Sequence, residues 1–192
     1  MGEQFPHLLS PGRVGDLTLP NRMLMSPMTR FRVDTSGVPT ALNQIYYSQR
    51  ASAGLIVSES VYVTPYGRWS PRAAGLHTEA QVAAWRGVTD AVHGKGGRMF
   101  AQIAHGGRLS HPALRPDGTE SVAPSPRPQK KKVRIEEDAG TGVKFADPVV
   151  PRPLTVAEIR EIVAEFKRTA ARAIAAGFDG VEVTGPFFLV QF

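Results

Sequence analysis

The sequence contains no cysteine among its 192 residues. Thiol nucleophiles, redox dithiols and zinc-thiolate sites are therefore excluded, and any chemistry must use His, Ser, Thr, carboxylates or a bound cofactor. The chain also has no run of about 18 consecutive apolar residues, which a membrane-spanning helix requires. Its first residues, MGEQFPHLLSPGRVGD, lack the charged, apolar and small-residue order of a signal peptide. We expect a cytoplasmic protein without a membrane partner.

Charge of one sign is not concentrated in any long stretch. The net charge is +6, but the basic residues are spread along the chain. One basic cluster, Lys130–Lys132 with Arg134, is followed at once by the acidic run Glu136–Asp138. A mixed run of this kind is typical of a solvated loop, so we expect no nucleic-acid partner. The remaining composition, 42% hydrophobic and 21% charged, is that of one soluble globular domain.

Strand-like and helix-like patterns alternate along the chain. Strands are predicted for residues 17–28, 55–63, 98–104 and 178–183, and helices for 39–53, from Thr78 to about His93, and from Thr155 to Gly177. Capping boxes, Thr78 with Gln81 and Thr155 with Glu158, mark two of the helix starts. In the last helix the predicted buried stripe is Ile159, Ile162, Val163, Phe166, Ala170 and Ile174. The alternation predicts an α/β fold with a parallel sheet.

The segment 105–153 between the third strand and the last helix is rich in proline, glycine and charge. A segment of this length without regular structure is uncommon in a compact domain and is usually functional or disordered. We therefore treat it as a candidate cap over a site. The site itself is expected at the carboxyl ends of the strands, where parallel α/β folds bind their ligands.

Side chains alternate between the two faces of a strand, which places Gln102 and Thr184 so that both can face a common pocket. Glu59 and Glu182 also lie in strands and have two interpretations. They are either paired carboxylates for acid and base work or buried carboxylates satisfied by arginines, and we favour the second. His105 is either a base or ligand or, as is usual for a lone loop histidine, a structural residue.

Seven segments together resemble the Old Yellow Enzyme family of FMN-dependent NAD(P)H:flavin oxidoreductases and ene-reductases. They are PMTRFR from Pro27, YYSQRASAGLIVSES from Tyr46, TPYGR from Thr64, DAVHGKGGRMFAQIAHGGR from Asp90, VAPS from Val122, PRPLTVAEI from Pro151 and AGFDGVEV from Ala176. The resemblance covers nearly the whole chain, in order. It implies a (β/α)₈ TIM barrel, of which residues 1–192 would supply the N-terminal half, about the first four βα units, with the long loop 105–153 after the third strand.

The resemblance also implies a cofactor site for FMN, with NAD(P)H as co-substrate. Pro27, Met28 and Thr29 would contact the isoalloxazine ring, and Ser60 would touch it through its backbone. Gln102 would bond the pyrimidine edge of the ring, where donors favour the negative charge that accumulates on reduction. No metal site is expected.

The chain departs from the family pattern at the substrate end. Thr184 stands where the family has a histidine, and Phe187 stands where Asn or His completes the pair that holds a substrate carbonyl oxygen. Phe188 lies near the position of a proton-donating tyrosine and has no hydroxyl. Ala104 and the pair Trp69-Ser70 replace further aromatic positions. No catalytic residue is therefore secure.

Two functions from different classes follow. The first is an Old Yellow Enzyme-like oxidoreductase that transfers hydride from NAD(P)H through FMN to an activated alkene such as an enone. Because the later strands of the family barrel hold the FMN phosphate, this chain would bind FMN weakly or not at all alone and would need a second half-barrel or self-pairing. The alternative is a non-catalytic remnant or protein-interaction module without flavin; an incomplete gene product is a third possibility.

Overall fold

The computed structural model describes residues 5–138, 142–185 and 187–192. The strands are β1 (Gly12–Val14), β2 (Leu17–Leu19), β3 (Leu24–Met25), β4 (Leu55–Tyr62), β5 (Ala74–Gly75), β6 (Met99–Ala104), β7 (Val122–Ala123), β8 (Val133–Asp138), β9 (Gly142–Ala146), β10 (Arg152–Pro153) and β11 (Gly180–Val183). The α-helices are α1 (Ala41–Ser48), α2 (Glu79–His93) and α3 (Val156–Ala175). Short 3₁₀ turns lie at Pro65–Gly67, Gly107–Leu109, Pro112–Leu114 and Leu189–Gln191.

The two predicted capping boxes are present. Thr78 Oγ1 accepts the Gln81 N–H at 3.3 Å while Gln81 Oε1 accepts the Thr78 N–H at 3.2 Å. Thr155 and Glu158 exchange the same pair of bonds at the start of α3. Both helices therefore begin where the sequence predicts, because each box satisfies orphan backbone donors of the first turn. After α3, Gly177 has a φ of +86°, which confirms the predicted left-handed turn.

The main sheet is parallel and has the order β11-β6-β4-β3, with β5 also pairing with β4. Each of α1, α2 and α3 connects two of these strands in turn. This arrangement confirms the α/β prediction with helices between parallel strands. Because all four strands run the same way, their carboxyl ends meet at one edge of the sheet.

The core lies between one face of the sheet and the helices. Trp85 of α2 is fully buried, donates its indole N–H to Gly75 O at 3.0 Å and packs against Phe178 at 5.4 Å between ring centroids. Buried apolar residues of β4, β6, α1, α2 and α3 surround it: Tyr47, Ile56, Val88, Val92, Met99, Ala101, Ile103 and Ala173. On the opposite face, strand alternation places the polar Ser60 and Gln102 among Tyr62, Phe100 and Ala104.

Two details of the secondary structure differ from the sequence prediction. Residues 17–28 do not form one strand, because Pro20 cannot donate to a ladder and the Asn21 side chain turns the chain by accepting the Met23 N–H. The helix predicted for 39–53 is confined to Ala41–Ser48. Thr40 precedes it and donates its N–H to Asn43 Oδ1 at 3.0 Å.

The predicted buried stripe of α3 is wrong at Val163 and Ile174, which are 64% and 58% exposed. The helix instead buries the small residues Thr169 and Ala173. Thr169 donates its hydroxyl to Val63 O at 3.4 Å, a bond that needs close approach to the end of β4. Contact with the sheet therefore set the rotation of α3, and the apolar periodicity did not.

The segment 105–153 contains regular structure, contrary to the sequence interpretation. Strands β8 and β9 pair antiparallel, and β7 pairs in parallel with β10 near the start of α3. Whether the segment caps a site remains a prediction. Among the residues that the structure describes, no helix combines the length and hydropathy needed to cross a membrane.

Candidate functional site

A row of polar side chains crosses three neighbouring strands. Ser60 of β4 and Glu182 of β11 both lie in register with Gln102 of β6. The Ser60 hydroxyl donates to Gln102 Oε1, and Gln102 Nε2 donates to Glu182 Oε1 at 2.5 Å. Ala101 and Ile103 on either side of Gln102 belong to the helix-facing core, so the row lies on the opposite face of the sheet.

This row fixes the orientation of the Gln102 amide. The side chain is only 6% exposed, with its carbonyl held by Ser60 and one N–H held by Glu182. A primary amide carries two N–H donors, so one donor of Gln102 remains for a ligand. The site therefore presents an oriented hydrogen-bond donor on the face of the sheet opposite the helices.

The segment Pro27–Thr29 follows β3, and its neighbour Arg30 ties it to β4. The Arg30 backbone N–H donates to Glu59 Oε2 at 2.9 Å, and Glu59 directly precedes Ser60 in β4. Met28 is 47% exposed. No hydrogen bond joins the Thr29 hydroxyl to the described part of the chain, so it too is available as a donor.

Glu59 does not pair with Glu182 as an acid and base. Its Oε1 accepts from Asn43 Nδ2 at 3.0 Å and from the Tyr47 hydroxyl at 3.4 Å, on the side of α1, whereas Glu182 lies in the polar row on the other face. Among the described residues the hydrogen-bond donors to Glu59 and Glu182 are a backbone N–H and the side chains of Asn43, Tyr47 and Gln102, so the expected arginines contribute only the nearby charge of Arg30 at Glu59. Burial raises the pKa of Glu59 to about 7, against the lowering effect of the Arg30 N–H, Tyr47 and Asn43 hydrogen bonds.

The residues at the substrate end are apolar apart from Thr184. Thr184 is buried beyond the end of β11 and donates its N–H to Ile103 O at 3.3 Å, which places it next to Gln102 along the sheet edge. Phe187 packs against Trp69 with 4.5 Å between ring centroids. Phe188 is also buried and packs against His105 at 4.8 Å. Neither phenylalanine offers a hydrogen-bond donor to a substrate.

His105 is a structural residue. It is 1% exposed, and its Nδ1 accepts the Gly107 N–H at 3.0 Å. Burial and the charge of Arg115 lower the pKa of His105 to about 3. The imidazole is therefore neutral at physiological pH and is unsuited to act as an acid there.

Two contacts of the site have no local sequence signal. Glu182, as the partner of Gln102, is found only through the register of β11 on β6. Gln191 accepts the Arg108 N–H at 2.9 Å and donates to Gly106 O at 2.9 Å, which fastens residues 187–192 to the loop after β6. Gly107 has a φ of +55°, a conformation that favours glycine, and a Cβ there would displace the Gln191 amide from this contact.

One cavity lies away from this site. It has a volume of about 790 Å³ and lies beside α3 and the loop after β6, lined by residues that include Tyr66, Arg115, Leu154 and Glu161. A second cavity of about 550 Å³ borders Phe187, Val190 and Phe192. Neither is lined by Pro27, Met28, Thr29, Ser60 or Gln102. No group of three or more metal-ligating side chains occurs among the described residues.

The donor set fits one part of FMN. The free N–H of Gln102 and the free Thr29 hydroxyl match a ring edge that carries carbonyl oxygens and becomes more negative on reduction. The five predicted cofactor residues include no lysine or arginine to hold the phosphate. These residues therefore suit the ring edge of FMN and leave its phosphate to other groups.

Comparison with known proteins identifies the family. The profile described as NADH:flavin oxidoreductase / NADH oxidase matches residues 7–192. The chain belongs to this family. Among curated relatives, 12-oxophytodienoate reductase 7 of Oryza sativa subsp. japonica is 38% identical over 179 residues, covering 93% of this chain and 44% of that protein. A probable flavin mononucleotide-dependent alkene reductase of Leishmania infantum is 40% identical over 178 residues, covering 93% and 48%.

Solved structures of this flavin oxidoreductase family superpose on the chain. Morphinone reductase in complex with tetrahydroNAD has a TM-score of 0.88 and 45% sequence identity, covering 94% of this chain and 49% of that one. The Old Yellow Enzyme homologue of Zymomonas mobilis has a TM-score of 0.83 and 38% identity, covering 94% and 48%. The resemblance to Old Yellow Enzymes is thus confirmed, and the fold is part of an α/β barrel. The chain spans about half the length of the relatives it matches.

Proposed function

We propose that this chain is the flavin-ring part of an FMN-dependent NAD(P)H oxidoreductase whose substrate is an activated alkene such as an enone. The observation that carries the proposal is the row Ser60–Gln102–Glu182, which leaves one oriented donor on the face of the sheet opposite the helices. Relatives named as an alkene reductase and as 12-oxophytodienoate reductases support this substrate class. The tetrahydroNAD bound to morphinone reductase supports NAD(P)H as the co-substrate.

Each site residue then has a role toward the ring. Bound FMN supplies the hydride-transfer chemistry between NAD(P)H and the alkene. Gln102 and Thr29 donate hydrogen bonds to the pyrimidine edge and stabilise the negative charge that reduction places there. Ser60, which also offers its backbone to the ring, holds the Gln102 carbonyl. Pro27 and the exposed Met28 supply apolar contact to the ring, and Met28 is flexible enough to fit it.

The substrate end favours an apolar compound. Thr184 offers one hydroxyl in place of the pair of donors expected from the family pattern, so a substrate carbonyl is held by fewer hydrogen bonds. Phe187 and Trp69, in contact at 4.5 Å, form an aromatic wall beside it. Aromatic surface favours a substrate with a flat or bulky apolar body. Phe188 donates no proton, so protonation of the second alkene carbon falls to another group or to water.

Activity requires the rest of a barrel. In this proposal residues 1–192 are the first four βα units, and segment 105–153 covers the mouth. The two edges of the described sheet are apolar and open, with Leu24 of β3 54% exposed and Val183 of β11 50% exposed. Parallel sheets are normally buried, and an open edge invites pairing. A complementary half-barrel, or a second copy of the chain, is the partner that closes the sheet and supplies the phosphate site.

A binding module without flavin is the second candidate. It is favoured by Phe187 and Phe188, which fill the substrate end with packed aromatic rings where the family pattern has donors. The two candidates differ in whether the face of the sheet opposite the helices takes a flavin ring.

Titration of the purified chain with FMN, followed by flavin fluorescence and absorption, tests the proposal. We expect saturable binding with shifted bands, weakened at least tenfold by Gln102→Leu and unchanged by the matched surface variant Gln49→Leu. Bound protein is then assayed for NAD(P)H oxidation with enones, alone and with the C-terminal half of morphinone reductase. No binding up to high micromolar FMN either by the chain alone or by the chain mixed with that C-terminal half, or equal binding by Gln102→Leu, overturns the proposal in favour of the flavin-free module.

A further inference from the structure

Glu59 is a fully buried carboxylate that none of the site roles above uses. Its two oxygens accept from two different parts of the chain. Oε2 accepts the backbone N–H of Arg30 at 2.9 Å, in the segment that follows Thr29. Oε1 accepts from Asn43 Nδ2 at 3.0 Å and from the Tyr47 hydroxyl at 3.4 Å, both on α1.

The groups of α1 that contact Glu59 are themselves held by further hydrogen bonds. Asn43 and Tyr47 are one helical turn apart, so they share a face, and both are fully buried against Glu59. Tyr47 also accepts the backbone N–H of Glu59 at 2.8 Å, which holds the carboxylate from its own main chain. Asn43 accepts the Thr40 N–H at 3.0 Å and so couples the start of α1 to the same group. The carboxylate therefore sits in a rigid frame.

The other side of the contact is a strained segment, whose end is also held by the Thr40 hydroxyl donating to Arg32 O at 2.8 Å. Phe31, directly after Arg30, has a φ of +53°, the one positive φ among described residues other than glycine. Such a backbone conformation persists only where its surroundings hold it. The Arg30 side chain stacks on Tyr46 at 4.2 Å, while its backbone N–H is the group that Glu59 binds. No α-helix or strand fixes residues 26–32 themselves.

We propose that Glu59 is a positioning residue for the flavin segment: by holding the Arg30 N–H it fixes where Pro27, Met28 and Thr29 meet the flavin ring. Glu59 itself touches neither ring nor substrate, because it lies on the helix side of the sheet. The inference rests on the proposed function, since it assigns a task toward the same flavin site.

A carboxylate is required for this task rather than an apolar side chain of similar size. Leucine would leave three buried donors, the Arg30 N–H, the Asn43 amide and the Tyr47 hydroxyl, without an acceptor. Glutamine would keep one acceptor oxygen for Arg30 but turn an N–H toward α1. The two variants therefore separate loss of the acceptor from loss of the charge.

The charge gives the contact a dependence on pH. Burial raises the pKa of Glu59 to about 7, and the groups that face it are the Arg30 N–H and guanidinium, the Asn43 amide and the Tyr47 hydroxyl, with Tyr46 beside Tyr47. The protonated carboxyl accepts hydrogen bonds less strongly than the carboxylate. The flavin segment is therefore held best above about pH 7 and is released as the pH falls.

The experiment measures riboflavin binding to the chain between pH 5.5 and 8.5 by fluorescence quenching, because riboflavin has no phosphate whose titration would mask that of Glu59. FMN is titrated in parallel. The variants are Glu59→Gln and Glu59→Leu, and the exposed Glu79→Gln is the matched control. Hydrogen exchange is recorded for residues 26–32 and, as an internal reference for global folding, for β6.

For the unchanged chain and Glu79→Gln we expect affinity to rise severalfold from pH 6 to pH 8. Glu59→Gln should bind with no pH dependence, and Glu59→Leu at least tenfold more weakly at every pH. In Glu59→Leu, exchange in residues 26–32 should accelerate while β6 stays protected, a pattern that general unfolding does not produce. Flavin binding with the same affinity, pH profile and local exchange in all four proteins overturns the role of Glu59 alone. Failure of the unchanged chain to bind either flavin, both alone and mixed with the C-terminal half of morphinone reductase, overturns the proposed function, and the positioning role with it.

Discussion

Gln102 of β6 donates its side-chain amide to the carboxylate of Glu182 of β11 at 2.5 Å, across two adjacent strands. With Ser60 holding the other end of the amide, Gln102 cannot rotate to suit an incoming group. Its free N–H is oriented before any ligand arrives, and such preorganisation removes an ordering cost from binding. The same arrangement places the Glu182 carboxylate directly behind the Gln102 amide that would face the proposed ring edge.

Replacing Glu182 by glutamine keeps an acceptor for Gln102 and removes a negative charge. If FMN lies beside this row, we expect its reduction potential to rise by roughly 30 mV, because the reduced ring is more negative and a nearby carboxylate disfavours it. Spectroelectrochemical titration of the flavin-bound chain measures this shift. Asp147→Asn, an exposed acidic position outside the row, serves as the control. An unchanged potential would place the flavin away from Glu182.

Asp179 joins three elements at the opposite end of the sheet. It accepts the Met99 N–H at 2.8 Å and contacts His93 Nε2 at 2.9 Å and Arg98 Nη1 at 3.3 Å. Asp179→Ala leaves the largely buried Met99 N–H without its side-chain acceptor, so we expect a loss of about 2 kcal/mol in the free energy of unfolding. Urea denaturation measures this loss. The control is the exposed variant Asp16→Ala, whose free energy of unfolding should lie within about 0.5 kcal/mol of that of the parent. Equal midpoints for the two variants would contradict a stabilising role for Asp179.

Trp85 is the largest fully buried side chain of the core. Trp85→Ala removes the ring and its bond to Gly75 O, and we expect a loss of about 3–5 kcal/mol, whereas Trp85→Phe should lose less because much of the volume is kept. Leu42→Ala, at a position 57% exposed, is the control and should change stability by less than about 0.5 kcal/mol. Thermal and urea unfolding report both quantities. A cost for Trp85→Ala no larger than that of Leu42→Ala would show that the helix layer is not packed as described.

His105 should make the fold sensitive to acid. Its pKa is about 3 in the folded chain and about 6.5 when unfolded, so between these values only the unfolded state takes up the proton. Stability from this group is complete above pH 6.5 and falls as the pH falls, by about 4 kcal/mol at pH 3.5. In His105→Asn, whose side-chain oxygen can still accept the Gly107 N–H, this pH dependence should be lost. The exposed His7→Asn should retain the slope of the parent; a parent without that slope would refute the assignment.

Glu59 acts on stability with the opposite sign. Its pKa is about 7 when folded and about 4.5 when unfolded, so the folded state keeps a proton that the unfolded state has released. Stability therefore decreases as the pH rises from 4.5 to 7, by about 3 kcal/mol, and Glu59→Gln should not show this decrease. Between pH 4.5 and 6.5 the Glu59 and His105 effects offset each other, and denaturation curves across this range should change little. Identical pH profiles for Glu59→Gln and the parent would contradict the raised pKa.

Features set by residues close in sequence were predictable. The boxes at Thr78 and Thr155 depend on partners three residues away, and Gly177 follows from the need for a left-handed turn at a helix end. The rotation of α3 was not predictable, because Val163 and Ile174 fit an apolar stripe by spacing, and the helix nevertheless buries Thr169 and Ala173. The small residues Thr169 and Ala173 allow the helix to approach the sheet closely, and this contact sets which side of α3 is buried. The sequence of the helix alone does not show where the sheet lies.

The candidate site divides in the same way. Strand alternation predicted a shared pocket for Gln102 and Thr184, and the resemblance to the flavin oxidoreductase family was carried by motifs along the whole chain. The bond between the Gln102 and Glu182 side chains depends on a register set over 80 residues of intervening sequence. The burial of Glu59 behind Asn43 and Tyr47 required the docking of α1, so sequence alone suggested arginine partners instead.

The pairing of β11 with β6 also has a consequence for how the molecule is made. Phe100 meets Gly180 only after the 80-residue crossover between them exists, and contacts of such high order form slowly. On the ribosome, β6 emerges well before its outer neighbour, and its free edge is then a site for chaperones or for wrong strand pairing. We therefore expect the slow kinetic phase of refolding to report the arrival of β11, after the α1–α2 layer has already collapsed around Trp85.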